Sequence, residues 1–173
     1  FKGAMFTFVF LWSPVLTDMT KNTLSMTSEN SSLPYGLIFA NFMVAIMCGS
    51  YVFSILQSKL GSATYSPFII HSIACISTAL CAFFINLQPS NILFHPLTML
   101  IIFLFFEMSC GMFWPTYGTI RSQYIPESQR ATIATMFRVP LNVFVVFLLL
   151  QSDSFSHVTM FLICSAAHAL SIV

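Results

Sequence analysis

Residues 93–119 read LFHPLTMLIIFLFFEMSCGMFWPTYGT, with Glu107 as the only Asp, Glu, Lys or Arg in the run. A helix crosses the roughly 30 Å hydrocarbon core of a bilayer with about 20 mostly apolar residues, so this stretch is long enough to span. It shows none of the ten-residue alternation of a membrane β-strand. The stretch therefore reads as a transmembrane helix with one acid inside it.

Working outward, five more apolar runs occupy residues 5–16, 34–57, 65–87, 131–150 and 155–173. A polar loop over 17–33 separates the first two, and the other connections are short. Short connections force neighbouring helices antiparallel. The expected fold is an all-α membrane protein, a six-transmembrane-helix bundle running up and down. Composition agrees, because charged residues make up 6% of the chain against roughly 25% in an average soluble domain. Apolar types reach 57%, with Phe at 20 positions and Met at 10, so the expected surroundings are a lipid bilayer.

A net charge of +1 and the lack of a basic stripe exclude nucleic acid as a partner. Cys48, Cys75, Cys81, Cys110 and Cys164 all lie in apolar runs, where cysteine behaves as a small buried residue. No zinc spacing, cofactor motif or hydrolase signature is present, so neither a metal, a cofactor nor an enzyme activity is expected. The chain opens on Phe1 and closes inside the apolar run 169–173, which reads as a segment of a longer protein.

Basic residues near span ends set orientation. Lys2, Lys59, Arg121 and Arg130 fall on one side, and Lys21 falls on the other with Asp18, Glu29 and Asp153. That distribution places both termini in the cytosol. The sequon Asn30-Ser31-Ser32 then lies on the extracytoplasmic side. Ala45 and Gly49, and the patch Ser109, Cys110 and Gly111, are packing features, since small residues let helix backbones approach in lipid. Pro14, Pro115 and Pro140 each remove a backbone hydrogen bond that a neighbour or a polar cavity has to replace.

The candidate chemistry rests on Glu107 and Arg138, two charges inside expected spans. Intramembrane charges cost several kcal/mol on insertion scales, about +2.5 to +3.5, and face a bundle interior, a cavity or each other. Arg138 offers a planar fork of donors suited to an anionic substrate. Glu107 would serve as a proton-coupling group or orienting partner, and Asn142 lies one turn from Arg138. A structural ion pair, or an Arg bonded to carbonyls freed by Pro140, stays open beside that reading. Trp114, Thr116 and Tyr117 are candidates for lining a cavity, while Trp and Tyr near a span end are more often interface anchors. His71, His95, His157 and His168 are scattered and read as loop or packing residues.

The stretch from Glu107 to Asn142, EMSCGMFWPTYGTIRSQYIPESQRATIATMFRVPLN, resembles the molybdate-anion transporter family, a branch of the major facilitator superfamily. The matching elements are Glu107, Cys110-Gly111, the aromatic pair before Pro115, Arg121, Ile125-Pro126-Glu127 and Phe137-Arg138-Val139-Pro140-Leu141. Phe10-Leu11-Trp12-Ser13-Pro14-Val15-Leu16 resembles the opening of that family's second half. The resemblance implies the C-terminal half of a twelve-helix secondary transporter working by alternating access. It also implies molybdate or a similar anion as substrate, and the N-terminal six-helix half of the same protein as partner. A multi-pass position in the cell membrane, the plasma membrane first, goes with it. The superfamily's loop motif survives only from Ser54 to Ser62, with Lys59 and Gly61 kept and Ser58 where the motif has Asp. A carrier of a sugar or organic anion, or a non-transporting scaffold or sensor, remains open.

Overall fold

The computed structural model describes residues 1–24, 33–60, 65–87, 95–151 and 155–172. They form six helices: α1 (Lys2–Leu24), α2 (Tyr35–Leu60), α3 (Ser66–Ile85), α4 (Pro96–Tyr124), α5 (Glu127–Leu150) and α6 (His157–Leu170). Every expected span is a helix, and no strand occurs among the described residues. The sequon at Asn30, together with Glu29, Asp153, Gly61 and Ser62, lies outside them.

Two elements differ from the sequence reading. The first helix extends through Leu24, so residues 17–24 of the expected polar loop are helix instead. Asp18, Lys21 and Asn22 are polar but carry on the helical turn, because hydropathy measures lipid preference and not helix propensity. The last helix has 14 residues, about 21 Å of rise, and is shorter than a full bilayer core. Among the described residues four helices, α2 to α5, are long and apolar enough to cross a membrane by length and composition.

Helix ends follow local chemistry. His95 is extended, and its Nδ1 accepts from the Leu97 N–H at 3.2 Å, while Pro96 opens α4 where no donor is needed. Ile125 is extended before Pro126, as the proline ring requires, which stops α4. Arg130 then ties the turn down, donating from Nε to the Ile125 carbonyl at 3.0 Å and from its terminal nitrogen to Ser122 at 3.1 Å. Ser156 caps α6 by accepting from the Thr159 N–H at 3.2 Å.

Paired contacts show the helices alternating in direction. Phe8 meets Phe103 and Phe1 meets Phe113, so α1 and α4 run antiparallel. His71 meets His168 and Cys75 meets Ser165, so α3 and α6 do as well. Phe42 meets Phe103 and Ser50 meets Gly111, so α2 and α4 run parallel, as alternation demands of second and fourth helices. The core lies around α4, where Phe8, Phe42, Phe103, Phe106 and Phe161 are buried together. Edge-to-face rings such as Phe8 and Phe103, with centroids 5.0 Å apart, add about 0.5–1.5 kcal/mol per pair beyond area burial.

The seam between α2 and α4 is the tightest contact. A Cβ on Gly49 would overlap the Met108 carbonyl oxygen, and one on Gly111 would overlap that of Ile46. Backbones touch there because both positions lack side chains. Pro115 frees the carbonyl four residues before it, that of Gly111. Ser50 donates its hydroxyl to that oxygen at 3.0 Å, so the neighbour supplies the bond the proline removed.

Candidate functional site

Glu107 stands near the middle of α4, fourteen residues before Arg121, or about 21 Å of helix from that end. Its side chain is 9% exposed and accepts no hydrogen bond from a described residue. A carboxyl group at that depth has to change protonation, find a partner or border a polar space. Arg138 and Asn142 sit four residues apart on α5, and both are exposed. The fifth helix packs principally on α1, where the Phe144 ring fills the space a Cβ of Gly3 would need. Leu148 is buried, whereas Phe137, Val139, Val143 and Phe147 are all more than half exposed. Arg138 and Glu107 form no ion pair among the described residues, so the direct pairing left open above is not made in this conformation.

Other expected residues move into different roles. Trp114 is exposed, ten residues before the end of α4, with the Lys2 ammonium 5.1 Å from its ring centre. Tyr117 does not act as an anchor. It turns into the bundle, and its hydroxyl lies 2.9 Å from His71 Nε2. Thr116 is fully buried, and its hydroxyl has no partner among the described residues. All five cysteines are free; Cys81, Cys110 and Cys164 are buried, and Cys48 is exposed on α2.

The reading of the four histidines as scattered holds for His95 and His157, at the starts of α4 and α6, but not for the other two. His71 and His168 are buried side by side, 97 residues apart in sequence, with Nδ1 atoms 3.3 Å apart. The available signal was positional. Each lies inside an apolar helix close to the end that the basic residues mark. Among the described residues no group of three or more His, Cys, Asp or Glu could hold a metal ion.

Apolar helices of spanning length, alternating in direction around a buried aromatic core, define a multi-pass membrane protein. A family model described as sugar transporters with 12 TM (MFS_5) matches residues 1–105, and the chain belongs to that family of the major facilitator class. It is also similar to curated proteins named molybdate-anion transporter. The relative from Xenopus tropicalis is 28% identical over 142 residues, covering 82% of this chain and 28% of its own length. The one from Danio rerio is 29% identical over 147 residues, covering 82% of this chain and 27% of its own. The chain thus spans little more than a quarter of the length of these relatives. No solved structure matches it.

Proposed function

We propose that these six helices are the C-terminal half of a twelve-helix secondary carrier that moves molybdate, or a similar tetrahedral oxyanion, by alternating access. The N-terminal half of the same protein covers α5 and forms the other wall of the cavity, and the carrier resides in the plasma membrane. The observation that carries this reading is Arg138. A permanent cation stands in the membrane on a helix whose surface the other five leave largely bare. A guanidinium in such a place needs an anion or an acidic partner. Asn142, one turn on, adds an amide to the same stretch of α5. Glu107 orients the site or takes up a proton as the carrier turns over.

The names of the relatives support molybdate as the cargo, and the family description supports a carrier in general. That description also favours a second reading, a carrier of an uncharged sugar, in which Arg138 would have no charge to neutralise. Uptake of labelled molybdate by cells expressing the full-length protein separates the two, with sulfate as competitor. Molybdate uptake above background supports the oxyanion reading. Sugar uptake without it supports the other.

A further inference from the structure

Three polar side chains from three helices form one buried chain at the end of the bundle that carries Arg121 and Arg130. The Tyr117 hydroxyl on α4 meets His71 Nε2 on α3 at 2.9 Å, and His71 Nδ1 meets His168 Nδ1 on α6 at 3.3 Å. His71 is 3% exposed and His168 is fully enclosed, while Tyr117 is half-buried at the open side. The far nitrogen, His168 Nε2, has no hydrogen-bond partner among the described residues. Phe1 covers both imidazoles, with ring centres 5.6 and 5.1 Å away. His71 is five residues past the start of α3 and His168 two before the end of α6, so the pair lies within about 8 Å of the helix ends.

The proton count follows from the geometry. Two neutral imidazoles hold two protons on four nitrogens. One proton has to lie between the two Nδ1 atoms, and the other sits on one of the two Nε2 atoms. If it sits on His168, His71 Nε2 accepts from the tyrosine hydroxyl. If it sits on His71, that nitrogen donates to the tyrosine oxygen, and His168 Nε2 is a bare acceptor. A third proton fits with both contacts kept: each Nε2 then bears hydrogen, and the Nδ1 atoms share one. A fourth would put two donors face to face and break the pair. The site therefore accepts one proton, and a hydroxyl able to turn from donor to acceptor is what its open end requires.

We propose that Tyr117, His71 and His168 form a one-proton site, filled from the adjoining aqueous phase through Tyr117, that gives the carrier its proton dependence. The coupling half of this statement rests on the transport reading above; the proton site itself does not. The other titratable or charged groups on the surrounding elements are Cys75 and Cys81 on α3, Cys164 and His157 on α6, Glu107, Cys110, Arg121 and Tyr124 on α4, and Lys2, Asp18 and Lys21 on α1. Cys75 is engaged by Ser165, at 3.5 Å from its hydroxyl. Glu107 is ten residues from Tyr117, about 15 Å along α4, and makes no hydrogen bond to either histidine.

The test is a titration of the full-length protein in lipid nanodiscs with histidine side chains labelled with nitrogen-15. Signals are assigned with His71→Gln and His168→Gln. Over the pH range in which the protein stays folded, the two signals are expected to move together as the pair takes up one proton. In each single variant the remaining histidine should titrate at a shifted midpoint. Tyr117→Phe keeps the ring against Phe113 and should also shift the midpoint; if either glutamine variant fails to fold, this variant alone decides. Signals that stay still, or an unmoved midpoint in Tyr117→Phe, would overturn the proposal. Molybdate counterflow in proteoliposomes of the same preparation keeps the two ideas separate. A histidine response without counterflow supports the proton site and removes the anion reading; counterflow without a histidine response removes the proton site.

Discussion

A guanidinium inside a membrane needs a partner, and Arg138 is the one that the transport reading depends on. In the described helices that partner is not Glu107, which is buried on α4 while the guanidinium is exposed on α5. If Arg138 holds the anion, Arg138→Ala should reach the membrane yet lose uptake. A lost charge-assisted hydrogen bond is worth about 1.5–3 kcal/mol, or roughly ten- to a hundred-fold in transport efficiency. Arg138→Lys keeps the charge without the planar fork and should retain only part of the activity. Paired variants decide whether another conformation joins the two charges. Removing both members of a buried pair leaves no stranded charge, so Glu107→Gln with Arg138→Gln should recover uptake only if they were structural partners. Surface labelling confirms that each variant reaches the membrane, and normal uptake by Arg138→Ala would end the anion-binding hypothesis. These two charges were legible in the sequence because an ionisable residue in an apolar run stands out by itself. The His71–His168 pair was not, because its meaning depends on a contact between residues 97 apart, made only when α3 and α6 pack.

Among the elements, the crossing of α2 and α4 should be the most sensitive to small changes. A methyl group at Gly49 or Gly111 has to push a carbonyl oxygen of the opposite backbone, which cannot swing aside as a side-chain tip can. Gly49→Ala and Gly111→Ala should each destabilise the protein by about 1–3 kcal/mol, the range for overpacking. Gly36→Ala and Gly118→Ala are the matched controls, because a Cβ at either meets nothing within 4 Å. Thermal unfolding in detergent should therefore lower the midpoint for the first two and not the second two. An equal response at all four sites would mean the seam does not hold the helices together. Ser50→Ala should cost about 1 kcal/mol, since it withdraws the donor from the Gly111 carbonyl that Pro115 leaves free. The sequence showed that Pro115 would orphan a carbonyl, and it showed small residues on both helices. It could not show which neighbour answers, because α2 and α4 meet only after the chain has folded back twice. The end of α1 was misread for a different reason: Asp18 and Lys21 mark where apolarity stops, not where the helix does.

For the whole molecule, the distribution of basic residues makes a claim about sidedness that the helix directions sharpen. Alternation puts the start of α1, the end of α2, the start of α3, the end of α4 and the start of α5 at one face of the bundle. Lys2, Lys59, Arg121 and Arg130 belong to those ends. Excess lysine and arginine marks the cytosolic side of short loops, so this face should be cytosolic and the 25–32 connection outside. Gln123→Cys tests it, since Gln123 is exposed in the last turn of α4. In intact cells a membrane-impermeant thiol reagent should leave that cysteine unlabelled, and permeabilisation should expose it; external labelling would overturn the assignment. The same geometry bears on transport. Major-facilitator sites lie near the midplane between two halves. Here Arg138 and Asn142 lie on an exposed helix, so in the proposed reading the six helices supply one wall. Residues 1–173 expressed alone should therefore insert with the topology just described and still give no molybdate uptake. Adding the N-terminal half as a separate chain should restore uptake if the two halves associate across α5. Uptake above background by residues 1–173 alone would mean the substrate path lies within these helices, and the cavity wall would have to be sought around Glu107 instead.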